Sequence, residues 1–271
     1  MKNINLFYDN YFGMNTLLEV VLWGQSELKQ QRCFNQISAG LTLWEKILSR
    51  FDEEAETFVL NEKAVYAPVK VSTELWQSIR RCITYRELTH GLFDVFYLSD
   101  QSQEKSVDEL LRLDTAHQTV HFVSSDTQVD FGGIGKGIFL EEVIRILDEN
   151  EMENAFVSFG GSSIHSRGRH PHHEASWPFS FQPQFGMTEE LSLTNTNLSI
   201  SGLQSGNAHI YSPEENGLIS TPKCVAVQGQ SPVSVEVLST SLIVADHEKQ
   251  ASMIKKIESE DIYYGVGTVN A

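Results

Sequence analysis

The sequence lacks long hydrophobic runs. No stretch of about 18 consecutive apolar residues, the length that a transmembrane helix needs, occurs in the chain. The N-terminal segment is interrupted by Asn3, Asn5 and Asp9 and is followed by no early cysteine. It therefore has the pattern of neither a signal peptide nor a lipoprotein leader. These absences predict a cytoplasmic protein without a membrane span, or an exported one if a leader has been removed.

Cysteine and positive charge are also scarce. The three cysteines, Cys33, Cys82 and Cys224, are widely spaced and odd in number, which argues against a disulfide framework and a zinc motif. The 20 lysines and arginines are outnumbered by 36 acidic residues, which gives a net charge of −16. No basic stripe is present, so nucleic acid is not expected as the main partner. A protein this acidic needs a local lysine or a divalent cation wherever it binds an anionic nucleotide.

One segment concentrates glycine around a single lysine: residues 129–137 read VDFGGIGKG. Apolar residues at helical spacing from Ile138 onwards predict a helix after it. Alternating apolar residues predict a strand that leads into it, namely Val120, Phe122, Val129 and Phe131. A strand, a glycine turn and a helix N-terminus form an anion cradle, to which Lys136 adds a full positive charge. The segment is therefore expected to bind a nucleotide diphosphate; the alternative is a plain strand-to-helix turn.

The spacing of these glycines excludes two better-known nucleotide motifs. A Walker A loop reads G-x-x-x-x-G-K-[ST], but Asp130 stands at its first glycine and Gly137 follows the lysine. The dinucleotide fingerprint G-x-G-x-x-G is absent, because the run reads G-G-x-G-x-G.

The periodicity along the rest of the chain predicts a mixed α+β fold. Long helices are predicted from about Ser26 to Ser49, from Ser72 towards Gly91, and from Ser234 onwards. Strands are predicted at residues 15–23, 154–160, 176–182, 191–200 and 223–228. No internal repeat or long linker occurs, so residues 1–271 are expected to form a single compact unit with largely antiparallel sheets.

Several side chains outside the glycine turn are candidates for function. Asp94 interrupts an apolar run, and since a lone buried carboxylate costs several kcal/mol, it either caps backbone amides or faces a ligand. His209 stands where a strand meets a turn, a common place for site residues. Glu236 and Thr240 project from one helical face and could share Mg²⁺, or could be structural. A surface loop without metal is predicted for a histidine cluster: His165, His170, His172 and His173.

Seven stretches, in register along nearly the whole chain, resemble the ApbE-type FAD:protein FMN transferases. The matching segments are Met14-Asn15-Thr16 (M-G-T), Leu48 to Phe51 with Asn61 (L-S-x-Y and a later asparagine), Gly91 to Asp94 (G-A-F-D), Asp130 to Gly137 (D-L-G-G-I-A-K-G), Gly160-Gly161 with Ser201-Gly202 (the G-G-D and T-S-G turns), His209-Ile210 with Pro213 to Gly217 (H-I-I-D-P-x-T-G with one added residue), and Glu236 to Thr240 (D-A-L-[AS]-T).

The resemblance implies a T-fold-like α+β protein that moves the FMN half of FAD to a threonine of an acceptor protein, releases AMP and requires Mg²⁺. It implies that the metal is held by a backbone carbonyl at Gly133, by Glu236 and by Thr240. Lys136 would act in catalysis, and His209, or a nearby carboxylate, would accept the threonine's proton. The residues implied to hold FAD are Met14, Phe51, Leu92, Phe93, Asp94, Lys136 and Ile210.

The chain departs from the family pattern at several positions. The departures are Asn15 for glycine, Phe51 for tyrosine, Val95 for proline, Ser162 for aspartate, Ile200 for threonine, Ser212 for aspartate, and Glu236 for the metal-binding aspartate. The longer arm of Glu236 weakens a magnesium site unless the helix shifts, because Mg²⁺ demands near-ideal octahedral geometry. Two alternatives therefore stay open: hydrolysis of FAD to FMN and AMP, and flavin binding without catalysis.

Overall fold

A computed structural model describes residues 5–173, 175–181, 189–202, 211–212, 217–218, 224–245 and 247–256 of the protein. Antiparallel sheets pack against long helices, so the predicted α+β fold class is confirmed. Within those ranges no helix is long and apolar enough to cross a membrane.

The helices are α1 (Glu27–Leu48), α2 (Glu56–Lys63), α3 (Thr73–Leu88), α4 (Val107–Leu110), α5 (Gly135–Glu149), α6 (Pro232–Val244) and α7 (His247–Lys256). The strands are β1 (Leu6–Gly13), β2 (Thr16–Trp23), β3 (Val69–Lys70), β4 (Leu111–Asp114), β5 (Thr119–Phe122), β6 (Asn154–Phe159), β7 (Ser163–Arg167), β8 (Trp177–Phe181), β9 (Glu189–Leu193), β10 (Thr196–Gly202), β11 (Tyr211–Ser212), β12 (Gly217–Leu218) and β13 (Cys224–Gly229).

The largest sheet of the described residues has six strands in the order β1-β2-β6-β7-β10-β13, and every neighbouring pair is antiparallel. Because side chains alternate across a strand, Leu18, Val20 and Leu22 of β2 all point to one face, where they are fully buried against α1 and α5. The opposite face is covered in part by the β8–β9 ribbon, through Trp177 and Leu193. A smaller sheet, β3-β5-β4, contributes to a second core beneath α3.

The longest helix begins and ends where the sequence predicts. Ser26 caps the N-terminus of α1 by accepting a hydrogen bond from the Lys29 amide, and Ser49 follows its last residue. The apolar stripe, including Ile37 and Leu41, is buried under the six-stranded sheet. The period of the stripe and the capping serine therefore define α1 from local sequence alone.

The prediction of a single strand at residues 191–200 is wrong. The chain bends at Thr194–Asn195, which separates β9 from β10, and Asn195 has a φ of 48°. Asparagine tolerates this left-handed conformation. The bend therefore contains no glycine from which it could have been predicted. Residues 191–200 also contribute to two different sheets, since β9 pairs with β8 while β10 lies in the six-stranded sheet.

One member of the histidine cluster lies elsewhere than predicted. His165 is in β7 and is 5% exposed, with its Nδ1 atom 2.9 Å from the Asn197 side-chain oxygen. Its Nε2 atom is buried without a hydrogen-bond partner among the described residues. Burial lowers the pKa of His165 to about 4 from its ordinary 6.5, because a proton on Nε2 creates a buried cation with no acceptor.

This burial predicts a loss of stability in acid. A depressed folded-state pKa means that the contribution of His165 is fully present above pH 6.5 and is lost as the pH falls towards 4. Between pH 7.5 and 4.5 the wild-type protein is expected to lose roughly 2–3 kcal/mol of unfolding free energy through this side chain. Urea unfolding of wild type and His165→Asn at both pH values checks it: the variant should lose less. Equal losses in both proteins would assign the acid sensitivity to other groups.

Candidate active site

The residues directly before the glycine turn are not a strand, contrary to the prediction. Strand β5 ends at Phe122, and residues 127–131 have no sheet partner. Instead the Asn61 side chain takes the place of a neighbouring strand: its amide nitrogen donates to the Val129 carbonyl at 3.0 Å and its oxygen accepts from the Val129 amide at 2.9 Å. Val129 and Phe131 remain buried. This explains the apolar alternation without a strand.

Helix α5 starts inside the glycine run, so Lys136 lies in its first turn. Ile134 at the N-cap makes no side-chain capping hydrogen bond. The Gly132 amide is used locally, donating to Asp130 at 2.7 Å. The uncapped helix N-terminus and the lysine on it are the parts of the predicted anion cradle that this geometry supports.

Gly137 permits a close approach between α5 and α6. A Cβ atom at this position would lie 2.8 Å from the Pro232 carbonyl oxygen, 3.0 Å from the Val233 Cα and 3.2 Å from the Glu236 Cβ. Backbone atoms cannot move aside as a flexible side chain can. The glycine is therefore required for packing, and this packing brings Glu236 within reach of Lys136.

Replacing Gly137 by alanine should therefore destabilise the protein, by about 1–3 kcal/mol, because it forces α5 and α6 apart. Urea unfolding monitored by circular dichroism measures the effect. Gly40→Ala in α1 is the matched control: the added Cβ is no closer than 3.6 Å to any neighbour, and alanine is the better helix former. The control should be neutral or stabilising. If both variants behave alike, Gly137 is not a packing requirement.

A cleft of about 660 Å³ opens beside the glycine turn. It is lined by residues that are far apart in the sequence, including Met14, Leu92, Phe93, Asp94, Gly133, Lys136, Glu236 and Thr240. Of the predicted site residues that the structure describes, all except Phe51 line this one cavity. A second pocket of about 570 Å³ shares Met14, Asn15, Asp130, Gly132 and Lys136 with it and contains Phe51.

Lys136 and Glu236 form an ion pair in the cleft, with 3.2 Å between Nζ and Oε1. The lysine also donates to the Ser162 hydroxyl at 2.8 Å. The other carboxylate oxygen of Glu236 accepts hydrogen bonds from Ser163 at 2.7 Å and Ser199 at 3.0 Å. Glu236 is only 5% exposed, so these contacts offset the cost of burying its charge.

Thr240 lies one helical turn beyond Glu236 and faces the same cleft, as predicted. Its hydroxyl is 3.5 Å from that of Ser201. A Cβ atom built on Gly133 would be 3.9 Å from the Thr240 methyl group. The predicted metal-binding residues therefore surround one region of the cleft. Among the described residues no three His, Cys, Asp or Glu side chains are grouped to hold a metal, so a cation bound here would need hydroxyl, carbonyl and substrate oxygens in addition to the Glu236 carboxylate.

The carboxylate oxygens of Asp94 already have partners within the protein. It lies 3.1 Å from Arg86, accepts the Phe96 amide at 3.0 Å and accepts Gln103 at 2.8 Å. The side chain is 1% exposed. The geometry thus favours the capping alternative for this carboxylate, while contact between the residue and FAD stays a prediction. The capped turn holds Leu92 and Phe93 against the cleft.

Sequence reasoning missed a network of contacts around Arg50. The Arg50 Nε donates to Asp130 at 2.7 Å, and its guanidinium stacks 4.1 Å from the centre of the Phe51 ring. Tyr97 donates to the same Asp130 oxygen at 2.9 Å. Burial, and then the charge of Asp130, raise the pKa of Tyr97 to about 12, so it stays a protonated donor. No sequence signal links these residues, since Arg50 and Asp130 are 80 positions apart.

Phe51 itself is 75% exposed at the rim of the second pocket. An exposed aromatic ring backed by a guanidinium is a suitable platform for a planar ring system. Its assignment to FAD stays a prediction.

Met14 and Asn15 form the two-residue turn between β1 and β2. Their φ angles are 48° and 60°, and Gly13 pairs with Thr16 across the turn. Two successive positive φ angles define the turn type that glycine and asparagine favour. Asn15 is therefore a compatible replacement for the glycine of the family pattern. The Met14 amide donates to Glu45 at 2.9 Å, which fixes the turn at the cleft.

Two predicted site residues, His209 and Ile210, lie outside the described residues, as does most of the Pro213 to Gly217 segment. Their assignments stay predictions.

The sequence matches a known protein family, and the fold is similar to those of solved structures. The protein-family model described as the ApbE family matches residues 14–263 of the sequence. No curated protein matches the sequence. The structure is similar to the flavin transferase ApbE from Vibrio cholerae (TM-score 0.80, 19% identity, 97% of both chains). It is also similar to an apo flavinyl transferase ApbE from Pseudomonas stutzeri (TM-score 0.79, 17% identity, 97% of this chain and 94% of that one). The ApbE protein from Thermotoga maritima matches equally well (TM-score 0.80, 18% identity, the same coverage). At these identities the likeness shows the fold.

Proposed function

The chain belongs to the ApbE family, and from that premise we propose that it is a flavin transferase. It moves FMN from FAD to a threonine of an acceptor protein and releases AMP. The observation that carries the proposal is the convergence of Lys136, Gly133, Glu236 and Thr240, from two distant parts of the chain, in one cleft.

The shape of the site suits a dinucleotide. The two pockets, of about 660 and 570 Å³, share the residues around Lys136. FAD has two ring systems joined by a diphosphate, so a bilobed site with a cation at its junction matches the order of its parts. Lys136 lies on the first turn of α5, and in this proposal its ammonium group and the helix N-terminus bind the diphosphate.

Charge in the main cleft supports a requirement for a metal ion. Lys136 is the only lysine or arginine that lines it among the described residues, whereas Asp94, Asp130 and Glu236 are acidic. A single ammonium group, already paired with Glu236, does not neutralise a diphosphate. Mg²⁺ is commonly held by one or two carboxylates together with substrate phosphate oxygens. The residues present fit such an ion: Glu236, Thr240 and the Gly133 carbonyl would hold it, and it would neutralise charge on the transferred phosphoryl group.

The proposed reaction replaces the phosphoanhydride bond of FAD with a phosphate ester to the acceptor threonine. The threonine oxygen of the acceptor forms a bond to the phosphorus on the FMN side of the diphosphate, the bridging P–O bond breaks, and AMP leaves with those electrons. The threonine proton passes to a base, for which His209 is our candidate. Because phosphoryl transfer depends mostly on positioning and charge neutralisation, Lys136 and the rigid contact between α5 and α6 are the main contributions of the described chain.

One assay separates this function from its alternatives. The protein is incubated with FAD and Mg²⁺, with and without a threonine-containing acceptor domain. AMP release and covalent flavin on the acceptor are measured by chromatography and in-gel fluorescence. Transfer predicts acceptor-dependent AMP together with labelled acceptor. AMP without label supports FAD hydrolysis, and FAD binding without AMP in either sample leaves a flavin-binding protein.

A further inference from the structure

The two contacts of the Lys136 ammonium are both at positions where the chain departs from the family pattern. Its hydrogen-bond acceptor is Ser162, at the place of the aspartate in G-G-D, and its ion-pair partner is Glu236, at the place of the metal-binding aspartate. Ser162 carries no charge. Glu236 is therefore the one charged partner of Lys136 among the described residues.

The length of Glu236 makes this pairing possible. Gly137 brings α5 and α6 into contact, and the extra methylene of glutamate carries the carboxylate farther from α6 than an aspartate would. One oxygen meets Lys136 at 3.2 Å and the other is held by Ser163 and Ser199. Both oxygens thus have protein partners.

These contacts have a consequence for cation binding. A carboxylate in contact with an ammonium group is a poor ligand for a second cation, because the two positive charges repel each other across a few ångströms. A cation must therefore displace Lys136 before it can bind Glu236. A diphosphate offers Lys136 the alternative partner that makes the displacement favourable.

We propose that the Lys136–Glu236 ion pair is a latch that closes the cation site until a dinucleotide diphosphate engages Lys136. Cation and dinucleotide binding are then coupled, each increasing the affinity of the other by the same factor. The proposal rests on the proposed function for the identity of the dinucleotide, but the latch itself belongs to the nucleotide-free protein.

Mn²⁺ titrations followed by electron paramagnetic resonance test the latch, because free and bound Mn²⁺ are distinguished directly. Without nucleotide, Glu236→Asp and Lys136→Met are each expected to bind Mn²⁺ about tenfold more tightly than wild type, within the usual range of coupling effects. Lys105→Met is the matched control. The Lys105 side chain, which pairs with Asp126, is 23% exposed, close to the 24% of Lys136. The Mn²⁺ affinity of this variant should equal that of wild type.

FAD supplies the second arm of the experiment. Saturating FAD should tighten Mn²⁺ binding to wild type about tenfold and should have a much smaller effect on Glu236→Asp. The proposal is overturned if neither Glu236→Asp nor Lys136→Met binds Mn²⁺ more tightly than wild type in the absence of nucleotide. If one variant does not fold, the other decides.

Failure of the proposed function gives a different result. If the variants bind Mn²⁺ tightly without nucleotide, but neither they nor the wild type binds FAD, the latch is supported and the flavin is rejected as the ligand. Flavin transfer with nucleotide-free Mn²⁺ affinity unchanged in both variants preserves the function and rejects the latch.

Discussion

Glu236→Gln is expected to reduce Mg²⁺-dependent release of AMP from FAD by about 100-fold or more. The substitution keeps the size of the side chain and its ability to accept hydrogen bonds from Ser163 and Ser199. It removes the negative charge that a divalent cation needs. The buried position should therefore stay folded while the cation site is lost. Initial rates of AMP release over a range of Mg²⁺ concentrations measure the effect.

Glu141→Gln is the control for this prediction. Glu141 lies on α5 in an ion pair with Arg81 and is part of neither pocket, so its loss should leave the rate within about twofold of wild type, as for most surface substitutions. Full activity in Glu236→Gln would mean that the metal is bound elsewhere.

Lys136→Met is expected to weaken FAD binding by about 1–3 kcal/mol, or roughly 5- to 150-fold, through loss of a charge-assisted contact. Methionine keeps much of the apolar length of lysine, so the packing between α5 and α6 should be preserved. Removal of the ammonium group also leaves Glu236 with only hydroxyl partners, and a lower melting temperature is expected. Quenching of flavin fluorescence measures the affinity, and calorimetry measures the stability.

Two comparisons make this result interpretable. Lys105→Met removes a lysine of similar exposure outside both pockets, so FAD affinity should be unchanged. The double variant Lys136→Met/Glu236→Gln has no unpaired buried charge, so it should recover melting temperature but not FAD affinity. An FAD affinity equal to that of wild type in Lys136→Met would remove this lysine from the site.

The sequence determined the elements whose signals are local. The apolar stripe and capping serine of α1 lie within one segment, and they placed both ends of that helix. The order of motifs indicated the family, and the motif positions that the structure describes include most of the residues that line the cleft. A single strand was expected where the chain bends at Asn195, because the sequence does not distinguish a left-handed asparagine from any other polar residue in a strand.

Tertiary structure decided which side chains meet. The Asn61 side chain replaces a strand beside Val129, Arg86 and Gln103 occupy the carboxylate of Asp94, and Lys136 pairs with Glu236 exactly 100 positions later. Such contacts depend on how closely two elements approach and on the length of each side chain. Gly137 and the extra methylene of Glu236 set both quantities at the site. Neither effect is visible in a motif, because a motif records residue types along the chain and not the distances between helices.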